Sequence, residues 1–358
     1  MPLRSRVPVA VLAVLVTVGV LASCSRAEEP SSSTAPVATS PAGELRLGYL
    51  PNITHAPALI GLNKGFFASE LGSTKIIPQS FNAGPDEVGA LLGGSLDAAF
   101  IGSGPAINAF AKSGGEAVRL VAGSTSGGAQ LVVSPDITSP AQLKGKTIAT
   151  PQAGNTQDVA LKTWLKQNNL PQGADGVTVQ NIDNPRALDL FRSGQIAGGW
   201  LPEPWSSRLV DAGAKVLVDE RSLWPNGRFP TTVLVVRTQY LAEHPQTVEA
   251  LLRGEQKAVE FATGNPAEAK TVTNDAIAQL TNTSLPPAVL DRAFTELTFT
   301  LDPLAATFPR LSEDSVTAGV MPTETNLQGF VDVTALDKVL QAAGKPTVDA
   351  AGLDKTQR

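Results

Sequence analysis

Cysteine and histidine are nearly absent from this sequence of 358 residues, which contains one cysteine, Cys24, and two histidines, His55 and His244. A single thiol excludes an internal disulfide, and so few thiol and imidazole groups argue against a zinc site. The sequence also lacks a G-x-S-x-G nucleophile elbow, a Walker loop and a G-x-G-x-x-G that follows a strand and opens a helix. We therefore predict no metal, no cofactor and no enzymatic activity.

Positive charge is not in excess either. The chain has 28 Lys and Arg residues against 33 Asp and Glu residues, a formal net charge of −5. A nucleic-acid-binding domain usually carries a basic stripe, so this composition argues against a nucleic-acid partner. Nothing in the pattern indicates a homo-oligomer, and we expect a monomer.

The first residues have the composition of a secretory signal. Arg4 and Arg6 precede an uncharged, mostly apolar run over residues 7–22, which is shorter than the roughly 20 residues needed to span a bilayer. The order Leu-Ala-Ser-Cys at residues 21–24 fits a bacterial lipoprotein cleavage site. We predict a signal peptide over residues 1–23 and lipidation of Cys24. A plain signal peptide or a membrane anchor is the alternative.

A linker should follow the lipidated cysteine. Residues 24–43 are rich in Pro, Ser, Thr and Ala and contain almost no large apolar side chain, which is typical of a disordered segment. The rest of the chain, about 310 residues, exceeds what one small core usually serves, so two lobes are expected.

Short apolar strands alternate with helical segments along the folded part, which predicts an α/β fold with mainly parallel sheets. An apolar strand at residues 130–134 should lead out of a first series of strands and helices. The β-branched run at residues 231–236 should lead back to it. We predict that residues 44–128 and 235–350 form the first lobe, that residues 129–234 form an inserted second lobe, and that a cleft separates the two.

Four loops should face this cleft, because ligands of open α/β sheets bind at the carboxyl ends of strands, beside helix N-termini. They lie at residues 49–57, 101–105, 124–128 and 150–156 and combine glycine with small polar residues. One interpretation is capped turns and a hinge. The other is an anion clamp made of two facing helix N-termini, one in each lobe, that needs no lysine or arginine.

The segment Gly-Gly-Trp-Leu-Pro-Glu-Pro-Trp at residues 198–205 is also distinctive. It is either a rigid corner, with Trp205 in the core and Glu203 in the first turn of a helix, or part of the cleft. In the second case Trp200 would offer an aromatic wall to a ligand, and the carboxylate of Glu203 would favour a cationic group.

Four segments resemble a known family: LRLGYLPNITHAPALIGLNKGFF, AAFIGSGPAINAF, KGKTIATPQAGNTQDVAL and GGWLPEPWSSRLV. They are similar to the substrate-binding lipoproteins of ABC importers for aliphatic sulfonates, nitrate and taurine, in a wider family that includes binding proteins for pyrimidine precursors of thiamine. The resemblance covers residues 45–237. It implies a type II periplasmic-binding-protein fold with two doubly wound lobes that close on a small molecule at the extracytoplasmic face and deliver it to a permease and its ATPase.

The resemblance also implies ligand-binding positions on the matched loops. They are Asn52, His55, Ser103, Gly104, Ser124, Gln152, Asn155, Thr156, Trp200 and Glu203. The expected ligand is a small anion such as an aliphatic sulfonate, taurine or nitrate. The alternatives are a pyrimidine or other nitrogenous metabolite, and an enzyme on the same fold with His55 as general base.

Overall fold

The computed structural model describes residues 41–354. The predicted signal peptide, Cys24 and most of the predicted linker lie outside these residues. Within them, no helix combines the length and the apolar composition that crossing a membrane requires.

Eleven strands form two sheets within residues 41–354. In chain order they are β1 (Glu44–Tyr49), β2 (Lys75–Ser80), β3 (Ala98–Gly102), β4 (Val118–Gly127), β5 (Ala129–Val133), β6 (Thr147–Thr150), β7 (Thr178–Asn181), β8 (Gly198–Pro202), β9 (Lys215–Asp219), β10 (Pro230–Arg237) and β11 (Leu297–Phe299). The first sheet has the order β2-β1-β3-β10-β4-β11, and the second has the order β7-β6-β8-β5-β9.

The strands that carry the chain between the sheets break the predicted parallel pattern. β1 pairs in parallel with β2 and β3, and β6 pairs in parallel with β7 and β8, as expected for helical crossovers. β10, in contrast, inserts antiparallel between β3 and β4, and the short β11 runs antiparallel to β4. In the second sheet, β5 is antiparallel to both β8 and β9.

The chain passes between the sheets twice. Gly127 and Gly128, with φ of 81° and 73°, join β4 to β5, and this left-handed conformation favours glycine. A Cβ on Gly128 would also lie 2.1 Å from Leu297. The return passage runs over residues 220–229, and β10 then pairs in the first sheet from Pro230 onward. Residues 230–234, which the predicted boundary assigned to the second lobe, are therefore part of the first sheet.

Thirteen α-helices accompany the two sheets within residues 41–354. In chain order they are α1 (Ala56–Asn63), α2 (Phe66–Leu71), α3 (Gly84–Leu92), α4 (Ser103–Lys112), α5 (Thr156–Gln167), α6 (Asn184–Arg192), α7 (Trp205–Asp211), α8 (Thr238–Glu243), α9 (Pro245–Gly264), α10 (Pro266–Thr281), α11 (Pro287–Thr295), α12 (Phe308–Thr317) and α13 (Thr334–Ala342). α5, α6 and α7 pack on the second sheet. The predicted α/β class is confirmed, whereas the predicted mainly parallel pairing is wrong, because β5, β10 and β11 pair antiparallel.

The first two helices, α1 and α2, are separate although only Lys64 and Gly65 lie between them. The apolar segment at residues 56–67 divides at Gly65, whose φ is 70°. The turn directs Phe67 into the core, where it is fully buried and its ring centroid lies 6.0 Å from that of Phe100. Gly61 makes room for this ring, because a Cβ there would lie 2.3 Å from it.

Trp200 is the largest buried side chain of the second lobe. It is 0% exposed, and its ring centroid lies 6.1 Å from that of Trp164. Its indole Nε1 donates a hydrogen bond to Oε2 of Glu220 at 2.7 Å. Burial raises the pKa of Glu220 from 4.5 to about 8, so this side chain holds a proton at neutral pH.

Replacing Glu220 with glutamine should flatten the pH dependence of stability. In the folded protein Glu220 has a pKa of about 8 and keeps its proton up to about that pH, whereas in the unfolded chain its pKa is 4.5 and the proton is released near that pH. This difference in pKa stabilises the folded protein at low pH. The stabilisation is lost as the pH rises from the lower pKa to the higher one, by up to about 1.4 kcal/mol per pH unit. Urea unfolding of the wild type and the Glu220→Gln variant at a series of pH values measures the difference. If the free energy of unfolding changes equally with pH in the two proteins, the predicted contribution of Glu220 is wrong.

Candidate functional site

The facing edges of the two lobes enclose an inner cavity of about 30 Å³. Its lining is polar. Lobe 1 contributes Leu50, Asn52, Thr54, His55, Asn82, Gly102, Thr231 and Thr232, and lobe 2 contributes Pro151, Asn155, Thr156, Gln157, Asn184 and Pro202. None of these residues is lysine, arginine, aspartate or glutamate. Among residues 41–354, no cluster of three His, Cys, Asp or Glu side chains is arranged to hold a metal ion.

His55 is a neutral hydrogen-bond donor to this cavity. The side chain is 2% exposed, and burial lowers its pKa from 6.5 to about 3. Nδ1 accepts a hydrogen bond from the backbone N–H of Leu50 at 3.3 Å. Because a neutral imidazole carries one proton, that proton is on Nε2. The ring therefore offers an N–H group without a formal charge.

The N-termini of α4 and α5 do not form the predicted anion clamp. They contact each other, since the backbone N–H of Gly104 donates to Oγ1 of Thr156 at 3.2 Å. Pro105 has no N–H to offer. At α5, the first turn already contains Asp158, which is 0% exposed and bonds to Lys162 at 2.7 Å. This carboxylate offsets the positive end of the helix dipole before any ligand does.

Asp158 instead fixes the shape of the loop at residues 150–155. One carboxylate oxygen accepts from the Thr150 hydroxyl at 3.0 Å and from Nδ2 of Asn181 at 2.8 Å. The other accepts from the backbone N–H of Gly154 at 2.9 Å. These bonds hold the loop in position, and Asn155 and Thr156 thereby reach the inner cavity.

An outer chamber of about 240 Å³ adjoins the inner cavity and shares four of its lining residues, Leu50, Asn52, Asn82 and Asn184. Pro51, Gln152, Asp183, Pro185, Trp205 and Thr281 complete its lining. Trp205 reaches across the cleft, and its Nε1 donates to Oδ1 of Asn52 at 3.2 Å. Gln152 donates to Oδ1 of Asp183 at 2.7 Å. Asp183 is the one charged side chain among the described residues that line either space.

Each of the two interpretations of residues 198–205 misplaced one tryptophan. Trp200 lies in the core of the second lobe and lines neither the inner cavity nor the outer chamber. Trp205, which one interpretation placed in the core, lines the outer chamber. Strand β8 is buried along its whole length, so Trp200 packs into the lobe, while Trp205 starts α7 at the end of the strand.

Glu203 is buried and is engaged by protein groups. It is 0% exposed, its Oε1 bonds to Nη1 of Arg292 at 3.1 Å, and its Oε2 accepts from the backbone N–H of Ser207 at 3.2 Å. Arg292 also donates to the Ser207 hydroxyl at 2.7 Å and to Oε1 of Gln130 at 2.5 Å. The predicted role of this carboxylate, selection of a cationic ligand, is therefore replaced by an ion pair between the lobes.

A second ion pair between the lobes lies beside the first. Glu296, which follows α11, bonds to Arg221 of the return passage, and Arg221 also bonds to Asp219 at 2.6 Å. The helix α11 of the first lobe thus presents a cation to Glu203, and the residue that follows it presents an anion to Arg221. We call these groups the hinge ion network, because they lie next to both crossings of the chain.

Ser103 and Ser124 are buried and do not line the inner cavity. Both hydroxyls are buried and have no hydrogen-bond partner within residues 41–354 by distance and angle, and neither lines the inner cavity. Ser124 is close to the buried Glu255, whose pKa burial raises to about 8 while the serine hydroxyl opposes the shift.

Of the predicted positions, Asn52, His55, Asn155 and Thr156 thus line the inner cavity, Gln152 lines the outer chamber, and Gly104 bonds to Thr156. Thr54, on the predicted loop at residues 49–57, also lines the inner cavity, and the structure adds five polar lining residues that the prediction lacked: Asn82, Gln157, Asn184, Thr231 and Thr232. Asn82 lies between β2 and α3, and Asn184 is the first residue of α6, which follows β7. Both asparagines therefore lie at the carboxyl end of a strand beside a helix N-terminus, which is where ligands of open α/β sheets bind.

Two α/β lobes joined by two crossings, with a polar cavity at their facing edges, define the architecture of a periplasmic binding protein. Solved structures of other proteins have the same architecture. The alkanesulfonate-binding protein SsuA from Xanthomonas axonopodis pv. citri, bound to MOPS, matches with a TM-score of 0.66 at 21% identity, over 80% of this chain and 96% of that one. The nitrate-binding protein NrtA from Synechocystis PCC 6803 matches with a TM-score of 0.73 at 16% identity, over 85% of this chain and 90% of that one. The predicted two-lobed fold is confirmed.

The chain belongs to the NMT1-like family, whose sequence pattern matches residues 38–278. The taurine-binding periplasmic protein of Escherichia coli K12 is 29% identical over 210 residues, which are 59% of this chain and 64% of that protein. The chain spans about three-fifths of the length of the curated relatives that it matches.

Breaking the hinge ion network from the Arg292 side should destabilise the protein strongly. Arg292→Met leaves the carboxylate of Glu203 buried without a cation, a change that typically costs about 3–5 kcal/mol. Glu203→Gln should cost less, because Arg292 remains partly exposed to water, and the double variant should recover part of the loss. Urea unfolding of the three variants measures these energies. A cost for Arg292→Met that does not exceed that of Glu203→Gln would contradict this account.

Proposed function

We propose that this chain is the extracytoplasmic substrate-binding component of an ABC importer, which captures a small molecule between its lobes and delivers it to a permease. The observation that carries the proposal is the uncharged, donor-rich cavity at the facing edges of two lobes that two crossings connect. Such an arrangement lets lobe closure depend on ligand, because only the closed form supplies contacts from both sides.

The first candidate ligand is an aliphatic sulfonate, taurine or a nitrate-like anion. The Nε2–H of His55, the hydroxyls of Thr156 and Thr232 and the amides of Asn155 and Gln157 supply donors to an oxyanion without a competing carboxylate in the inner cavity. With no lysine or arginine present, hydrogen bonds must replace the water that the anion loses. The named binding activities of the relatives support this ligand class.

A nitrogenous metabolite such as a pyrimidine precursor is the second candidate. Asn52, Asn82 and Asn184 line both the inner cavity and the outer chamber. Each carboxamide donates and accepts hydrogen bonds, which suits a ring with both kinds of group. The negative charge of Asp183 also favours a neutral or cationic ligand over a bare anion.

The state of His55 supports binding without turnover. A general base is most effective when its pKa lies near the operating pH. With a pKa of about 3, His55 has little tendency to take a proton at neutral pH. It is therefore suited to donate a fixed hydrogen bond.

The expected location is the extracytoplasmic face of the cell membrane, with the chain monomeric and anchored through lipid on Cys24. Metabolic labelling with a fatty acid tests this directly. The wild type should incorporate the label, and Cys24→Ser should not, because Cys24 is the only thiol in the chain. Absence of label from the wild type, or its persistence in the variant, would exclude the anchor.

Ligand binding should raise the thermal stability of the protein and should depend on Thr232. A ligand at 100 times its Kd stabilises the folded state by about 2.7 kcal/mol. Thr232 is 1% exposed, and its hydroxyl has no partner within residues 41–354. Thr232→Val should therefore leave the free protein at least as stable, since it removes an unpaired polar group, while weakening binding by about three- to tenfold.

Thr125→Val is the matched control. Thr125 pairs with Thr232 across β4 and β10, is equally buried, and also has an unpartnered hydroxyl, but it does not line the inner cavity. Thermal shift and calorimetry with taurine, ethanesulfonate and nitrate provide the measurement. Equal loss of binding in both variants would remove Thr232 from the site, and no shift with any of the three ligands would remove the first ligand class.

A further inference from the structure

Asn184 presents an acceptor that the protein leaves unused. It is the first residue of α6, and it lines both the inner cavity and the outer chamber. Its Oδ1 is buried and has no hydrogen-bond partner among the described residues. Buried acceptors in native proteins are nearly always paired. A ligand with an N–H group at this position would supply the missing donor.

Asp183 adds a negative charge at the same place. Its carboxylate lines the outer chamber, and Oδ1 accepts a hydrogen bond from Gln152 at 2.7 Å. It belongs to none of the ion pairs within residues 41–354. Arg186, one turn further along α6, lines neither the inner cavity nor the outer chamber. The charge of Asp183 is therefore not neutralised by a cation in the site.

The dipole of α6 acts in the opposite direction, because the N-terminus of a helix repels cations. Its effect is equivalent to roughly half a unit of positive charge, whereas the carboxylate at the N-cap carries a full negative charge. Asp183 therefore determines the sign of the local field, and a cation in the outer chamber is favoured.

The opposite wall has the complementary polarity. In the first lobe, His55 offers Nε2–H, and Thr232 offers an unpartnered hydroxyl. A ligand that reaches from the inner cavity into the outer chamber thus meets these donors at one end and the acceptors of Asp183 and Asn184 at the other. Nitrate or a simple alkanesulfonate satisfies only the donors.

We propose that Asp183 and Asn184 form a subsite for a protonated amine or another N–H group, so that the ligand is a small molecule with an acceptor end held by the donors of the inner cavity and a nitrogen-bearing end held by Asp183 and Asn184. This inference rests on the proposed function, since it assumes that the cleft binds a small molecule. It favours an aminoalkanesulfonate or an amino-substituted ring over a plain anion.

Calorimetry with taurine and ethanesulfonate tests the subsite, because the two ligands differ by the amine alone. The wild type should prefer taurine by on the order of three- to tenfold, the range expected for one exposed charge pair and one hydrogen bond. Asp183→Asn and Asn184→Leu should each reduce this preference, and Asn184→Asp should increase it. Asp189→Asn, an equally exposed acid on α6 that lines neither space, should leave it unchanged.

The ratio of the two affinities is the informative quantity, since general damage to the site weakens both ligands together. Equal affinity for taurine and ethanesulfonate, or a ratio that Asp183→Asn does not change, would overturn the subsite and leave the proposed function standing. Cytosine serves as an amine-bearing probe without a sulfonate. Binding of cytosine that Asp183→Asn weakens, with no sulfonate bound, would support the subsite and overturn the sulfonate assignment. No binding of any of the three probes would overturn both.

Discussion

The placement of β10 between β3 and β4 is the constraint on which the other features of the molecule depend. This strand returns from the second lobe and pairs antiparallel on both sides, so the second lobe is held by one crossing at Gly128 and another that ends at Pro230. The same strand brings Thr231 and Thr232 to the cavity wall. The strand that holds the lobes together thus also lines the inner cavity.

The site differs in chemical character from a charged anion pocket. Its helix N-termini are occupied by the protein itself, through the Gly104–Thr156 bond and the carboxylate of Asp158. Side-chain amides, hydroxyls and one neutral imidazole line the inner cavity instead. Burying such groups costs less free energy than burying an unpaired charge, which would oppose closure by its desolvation. A neutral lining therefore makes closure depend on what the ligand itself brings.

Local patterns predicted most of the strands, most of the helices and the loops that face the cleft, because each of these is encoded over a few consecutive residues. Contacts between distant residues were not accessible in this way. Glu203 meets Arg292, which is 89 residues away, and no local pattern distinguishes a paired carboxylate from a free one. The sequence marks both Trp200 and Trp205 as distinctive. Which of them is buried in the core depends on how β8 packs within the second lobe, and the local sequence does not show this. Thr232 lies in the apolar run at residues 231–236, whose pattern predicts a strand but does not indicate that this side chain lines a cavity.

The central position of β10 also governs the order in which the molecule is assembled. During synthesis, β3 and β4 emerge more than one hundred residues before the strand that joins them, so their inner edges stay unpaired while the whole second lobe is made. The second sheet needs no later segment and is able to fold first. Unpaired strand edges are the surfaces through which chains aggregate. The interval between β4 and β10 is therefore the period in which the nascent chain is most exposed to misassembly and has the greatest need of a chaperone.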